Sequence, residues 1–114
     1  MSKTESPRNL KGRLTMKKIV LLCAAGMSTS MLVKKMQEAA EVESYECTIA
    51  AYPTSEANAK ASDADVILLG PQVRFQKNKI AELCPGIPVD AIDMRMYGRM
   101  DGAGVLKYAK SLMA

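Results

Sequence analysis

The chain has 114 residues with 16 basic and 12 acidic side chains, no histidine, no tryptophan, three cysteines and 48% hydrophobic residues. That length allows one domain with a single sizeable core, and no apolar run approaches the roughly 20 residues of a membrane span. Most of the net +4 charge is local, because Lys3, Arg8, Lys11 and Arg13 against Glu5 supply three of the four units. The remainder is close to neutral and poor in aromatic residues, which argues against a nucleic-acid surface built from clustered cations and stacking rings.

Residues 1–15 mix Ser, Thr, Pro, Lys and Arg without hydrophobic periodicity. They are expected to form a disordered extension ahead of a folded domain over 16–114. They lack the apolar stretch of a secretory signal, so export is not expected. The odd cysteine count fits a reducing cytoplasm. Without histidine, and with no Cys-x-x-Cys spacing, the cysteines do not make a zinc site. Neither a metal nor a cofactor is expected.

Lys18 to Cys23 is a short apolar run suited to a central parallel strand. A helix is expected from Ser28 to about Glu41, with Ser28 as its N-cap and Met31, Leu32, Met36, Ala39 and Ala40 on one face. Glu46 to Tyr52 reads as a second strand, broken at Pro53 and Thr54, with a short Ala-rich helix over Ser55 to Ala61. Val66 to Leu69 is a fully buried third strand ending at Gly70-Pro71, and a helix over Val73 to Leu83 follows. Val89 to Ile92 is a fourth strand, and the last helix starts near Asp101 or Gly102. This repetition predicts an α/β fold: one four-stranded parallel sheet in the order 2-1-3-4, with helices on both faces. Ligands of such sheets lie beyond the carboxyl ends of the strands, where the strand order reverses. That order sets Cys23, ending strand one, beside Gly70-Pro71, ending strand three.

Cys23 is therefore the leading functional residue. Behind it run Ala24, Ala25, Gly26, Met27, Ser28, Thr29 and Ser30. Small residues let the main chain approach a ligand closely, and Gly26 can supply a positive φ. The unpaired N–H groups of a loop and of a helix's first turn suit an anion, and the three hydroxyls add donors. Such a field also favours thiolate over thiol. The loop is thus a phosphate-binding candidate with a nucleophile at its start. Pro71 and Gln72 are expected at the same pocket or at a partner contact. Arg74 reads as a solvated helix residue, and Tyr97 and Arg99 as candidate parts of a partner-facing surface. Cys47 and Cys84 read as packing residues, because an unpaired cysteine behaves as a small hydrophobe.

The run Cys23-Ala-Ala-Gly-Met-Ser-Thr-Ser-Met-Leu-Val33 resembles the active-site loop of the IIB component of the bacterial sugar phosphotransferase system, of the lactose/cellobiose (chitobiose) type. The resemblance continues through Ile67-Leu-Leu-Gly-Pro-Gln-Val-Arg74 and Tyr97-Gly-Arg-Met-Asp-Gly102, covering residues 16–114. It implies a cytoplasmic phosphotransferase. A phosphohistidine IIA component would pass its phosphoryl group to Cys23, which would pass it to a sugar held by the membrane component IIC. A β-linked disaccharide such as cellobiose or chitobiose is the implied sugar. This chain would need no insertion into the membrane. The family fold is also similar to that of the low-molecular-weight tyrosine phosphatases.

Three alternatives must be separated from the relay. A phosphatase of that kind carries Cys-x5-Arg, and the arginine position here is Thr29. It also needs an acid for the leaving group. Asp90, Asp93 and Asp101 are available, but they read as turn and cap residues, Asp101 as an N-cap. Without that arginine a phosphocysteine should survive long enough to meet its next partner. A non-covalent phospho-ligand module would leave the position of Cys23 unexplained. A redox role is poorer still, because Cys47 belongs near the start of strand two, on the rim opposite Cys23.

Overall fold

The computed structural model describes residues 16–24 and 27–113, without the side chains of Met27 and Ser28. The expected extension over 1–15 lies outside the described residues. Four strands, β1 (Lys17–Cys23), β2 (Cys47–Pro53), β3 (Val66–Leu69) and β4 (Val89–Ala91), form one sheet in the order β2-β1-β3-β4. Every pairing is parallel, with Leu22 opposite both Tyr52 and Leu69, and Leu69 opposite Ala91. The expected topology is the observed one.

Why the sheet is central follows from its side chains. Ile19 to Leu22 and Val66 to Leu69 are all fully buried, so both faces of β1 and β3 need covering. The two-residue alternation of a strand sorts them. Ile19, Leu21, Val66 and Leu68 meet the helices α1 (Met27–Val42) and α5 (Gly102–Met113) through Leu32, Met36, Val105, Leu106 and Ala109. Val20, Leu22, Ile67 and Leu69 face the other layer, with Ala57 of α2 (Ala57–Lys60) and Ile80 of α3 (Lys77–Leu83). Burying one Leu, Ile or Val side chain stabilises by about 1.5–3 kcal/mol, so these eight strand residues fix the register.

Several boundaries differ from expectation, each for a local reason. Helix α1 begins at Met27, so Ser28 lies inside its first turn and is not the N-cap. Its inner face is Thr29, Leu32, Met36 and Ala40, at helical spacing, while Met31 points outward at 51% exposed. The segments after β2 and β3 open as 3-10 turns, Thr54–Glu56 and Pro71–Gln76, before α2 and α3. In the second of these Pro71 occupies the start and Val73 departs from helical geometry at φ −119°, ψ 19°, so α3 cannot begin at Val73. A fourth short helix, α4 (Met94–Gly98), is an addition to the expected elements. Asp93 caps it by accepting from the N–H groups of Arg95 (3.0 Å) and Met96 (3.2 Å). No described helix is long and apolar enough to cross a membrane.

Candidate functional site

Cys23 is the last residue of β1, opposite Pro53 of β2. The neighbouring order places β2 on one side of β1 and β3 on the other. The chain leaves β1 toward one neighbour and later returns to the other, so Cys23 sits where the winding reverses. The turn after β3 closes against it. Gly70 N–H donates to the Leu22 carbonyl at 2.9 Å. A Cβ built on Gly70 would stand 3.6 Å from the Cys23 Cβ and 3.1 Å from Gln72 Oε1. Gly70 is thus the close-approach residue, and the Gln72 side chain folds back over it. Gln72 is otherwise exposed and Pro71 half-buried. The juxtaposition of Cys23 with Gly70, expected from strand order, is present.

The thiol differs from expectation in one respect. A relay places it near the surface, yet Cys23 is only 3% exposed, and its Sγ–H faces the Tyr52 carbonyl at 4.0 Å. The end of β2 therefore provides the partner of the protonated sulfur. Ala24, next in the chain, is exposed. Ala25 and Gly26, and the side chains of Met27 and Ser28, lie outside the described residues. Ser30 is exposed on the first turn of α1.

Thr29 is placed otherwise than a solvent-facing phosphate donor. It is 1% exposed on the inner face of α1, and its Oγ1 is 3.3 Å from Tyr97 Oη. Tyr97, expected as part of a partner-facing surface, is instead buried against Leu32 and Met36. Sequence reasoning misses this pair because 68 residues separate its members. The spacing Thr29, Leu32, Met36, Ala40 is the available signal.

The acids that a hydrolase would need are engaged in structural bonds. Asp93 caps α4, and Asp101 caps α5 by accepting from Gly104 N–H at 3.0 Å. Asp90 accepts from the Tyr108 hydroxyl, from Ala91 N–H at 2.8 Å and from Lys77 Nζ at 3.3 Å. Burial alone would raise the Asp90 carboxyl, but these donors together hold it below the usual range. The same bond, with burial adding to it, pushes the Tyr108 phenol up to about 12.

The other cysteines are remote in role. Cys84 is buried, with its Sγ 3.9 Å from the Ala57 carbonyl, and burial pushes its thiol up. Cys47 pairs with Lys17 at the opposite end of the sheet from Cys23. Seven strand residues at about 3.3 Å each put them roughly 20 Å apart, far beyond disulfide reach. Two open grooves lie elsewhere. One is lined by Lys35, Val42, Arg99 and Met100, the other by Met16, Tyr45 and Cys47.

A parallel four-stranded sheet with a thiol ending its first strand, at the winding reversal, defines the class as a doubly wound α/β domain. Comparison with known proteins narrows it. Residues 18–108 match the family described as PTS system, lactose/cellobiose specific IIB subunit. The PTS system galactose-specific EIIB component of Lactococcus lactis subsp. cremoris is 45% identical over 104 residues, covering 85% of this chain and 96% of that one. The cellobiose-specific EIIB component of Lactococcus lactis subsp. lactis is also 45% identical, with the same coverage. Among solved structures, the cellobiose-specific IIB component from Borrelia burgdorferi superposes with a TM-score of 0.72 at 37% identity, over 86% of this chain and 92% of that one. This chain belongs to the lactose/cellobiose-specific IIB family of the sugar phosphotransferase system.

Proposed function

We propose that the chain is a phosphoryl relay on the cytoplasmic side of sugar uptake, with Cys23 as its nucleophile. A phosphohistidine IIA component presents its phosphorus to the Cys23 thiolate. The S–P bond forms as the N–P bond breaks, and the imidazole nitrogen leaves with the electron pair. A hydroxyl of the sugar held by the membrane component IIC then attacks phosphorus: the O–P bond forms as the S–P bond breaks, the sulfur leaves with the electron pair, and the proton lost by the hydroxyl balances the one that restores the Cys23 thiol. In-line attack requires the reacting atoms to be held about 3–3.5 Å apart. The observation that carries this reading is the position of Cys23 at the winding reversal, directly ahead of the loop into α1.

The resting contact of Cys23 has a consequence. A thiol can donate to the Tyr52 carbonyl, whereas a thiolate meets that oxygen as a repulsive neighbour. Ionisation therefore loosens the sulfur from β2 at the moment it becomes nucleophilic. Ala24 to Ser30 are proposed as the phosphate-binding loop, chiefly through main-chain N–H groups, with Pro71 and Gln72 beside it. Phe75 is 78% exposed after β3, and Met94 is 62% exposed after β4. Large apolar side chains at the carboxyl ends of neighbouring strands suit a small, transient protein contact. Relay is favoured over hydrolysis because Thr29 replaces the phosphatase arginine and the candidate acids Asp90, Asp93 and Asp101 are committed to caps and hydrogen bonds. The galactose- and cellobiose-specific relatives are equally identical to this chain, so a β-linked disaccharide is the proposed sugar on the strength of the family alone.

The test is incubation with a phosphorylated IIA partner, followed by mass spectrometry of the intact chain and its peptides. One phosphoryl group is expected, on Cys23, and Cys23→Ser should fold normally and fail to pass phosphate to sugar. A phosphoryl group on any other residue, or full relay activity in the serine protein, would refute the proposal.

A further inference from the structure

β4 is an outer strand of the sheet, and its residues Val89, Asp90 and Ala91 are all half-buried. Its main-chain groups divide by the alternation of a strand. Ile67 N–H donates to the Pro88 carbonyl at 2.9 Å, and Ile92 N–H donates to the Leu69 carbonyl at 2.8 Å. Pro88, Asp90 and Ile92 therefore turn their main-chain groups to β3, while Val89 and Ala91 turn theirs outward. An outer strand with open N–H and C=O groups is a template on which another chain can pair.

The Asp90 side chain stands in the way. Its Oδ1 accepts from Ala91 N–H at 2.8 Å, which occupies one outward donor, and from Lys77 Nζ at 3.3 Å. Its Oδ2 accepts from the Tyr108 hydroxyl. Lys77 opens α3, whose Ile80 packs on one face of the sheet, and Tyr108 belongs to α5, which covers the other. One carboxylate that meets a side chain from each layer lies beyond the rim of the sheet, across the path of a fifth strand.

Symmetry fixes what such a pairing would meet. Two copies joined through β4 about a twofold axis run antiparallel, with the same residues used on both sides. Full overlap of the three residues sets Val89 of each copy opposite Ala91 of the other, and the two Asp90 side chains opposite each other at the axis. Like charges directly opposite are destabilising, and each carboxylate would also have to release Ala91 N–H. We infer that Asp90 guards the β4 edge, preventing this chain from joining a second copy of itself through that strand.

The experiment is a dilution series of the full chain, from millimolar to micromolar, followed by amide NMR and sedimentation equilibrium. Wild type should sediment as one copy, with Val89 and Ala91 amide signals that do not depend on concentration. Asp90→Thr places a neutral, strand-favouring residue at the axis. It should self-associate at least about tenfold more tightly than wild type, with the Val89 and Ala91 amides moving on concentration. Asp90→Asn keeps an acceptor for Ala91 and Tyr108 and loses only the charge. It should fall between the two, and it carries the test even if Asp90→Thr unfolds. Tyr108→Phe removes a bond to Asp90 and leaves the charge, so it should sediment like wild type. One-copy sedimentation of the folded Asp90 variants, or association that leaves the β4 amides unmoved, would overturn the inference. So would a wild-type chain already paired through β4, or Tyr108→Phe pairing as tightly as Asp90→Thr.

Discussion

Replacing Gly102 by alanine would put a methyl group into the backbone of a neighbouring helix. The new Cβ would stand 2.4 Å from the Lys35 carbonyl carbon, 2.6 Å from its oxygen and 2.6 Å from Met36 N. Carbon atoms in contact prefer about 3.5–4.0 Å, so relief requires the helices to part by roughly 1 Å. All three atoms belong to the main chain in the middle of α1 and have no rotamer to change. The separation must therefore come from α5 as a body, carrying Val105, Leu106 and Ala109 away from Leu32 and Met36. Overpacking of this kind costs about 1–3 kcal/mol, and Gly102 is the first residue of its helix, so alanine recovers little of that through propensity. For a domain of this size each kcal/mol lowers Tm by about 4–8 °C. A cost of about 2 kcal/mol thus predicts a fall of about 8–16 °C, followed by far-UV circular dichroism on heating and in urea. Gly98 is the control: it lies in α4, and a methyl group added there would meet nothing within 4 Å. Gly98→Ala should be neutral or stabilising, by up to about 1 kcal/mol. If Gly102→Ala melted within about 2 °C of the wild-type chain, the close approach of α1 and α5 would not be a constraint.

Three further outcomes are expected. Gly86 has φ +85° between α3 and β4 with open space around it, so Gly86→Ala should destabilise through backbone strain alone, by about 1 kcal/mol in urea unfolding. Asp90 is held below the usual carboxyl range in the folded state. Its contribution is therefore present above about pH 4 and lost as pH falls through the folded value, and Asp90→Asn should flatten the acid limb of a stability–pH curve. Tyr108 is raised to about 12, so its contribution holds below its ordinary value of about 10 and disappears as pH climbs from there. Tyr108→Phe should flatten that alkaline limb, and an unchanged slope would show that the Asp90 bond does not link folding to proton uptake.

The parts of the fold legible in the sequence are those where one physical signal dominates. Val66 to Leu69 is recovered residue for residue, because four apolar side chains between polar flanks have no surface position to occupy. Asp101 reads as a cap and is one, since a carboxylate three residues before a free N–H satisfies a donor the helix leaves open. Cys23 and Gly70 come together because strand order alone juxtaposes them. Short elements are harder: α4 has five residues, less than two turns, so no periodicity can develop in it. Met31 reads as a core residue by type, but its neighbours set the face of α1, and the polar Thr29 takes the inward position. The partnership of Thr29 with Tyr97 is invisible for the same reason, since a hydroxyl finds its partner through tertiary packing and not through spacing along the chain.

A sheet whose strands all point one way gives the molecule a front and a back. Cys23 ends its strand at the front, while Lys17, paired with Cys47, begins at the back. Cargo fused ahead of Met16, or a probe attached to the Cys47 sulfur, would thus ride some 20 Å behind Cys23. The domain could be tethered to a surface by that end, or joined there to another protein, with the carboxyl ends of its strands still facing outward.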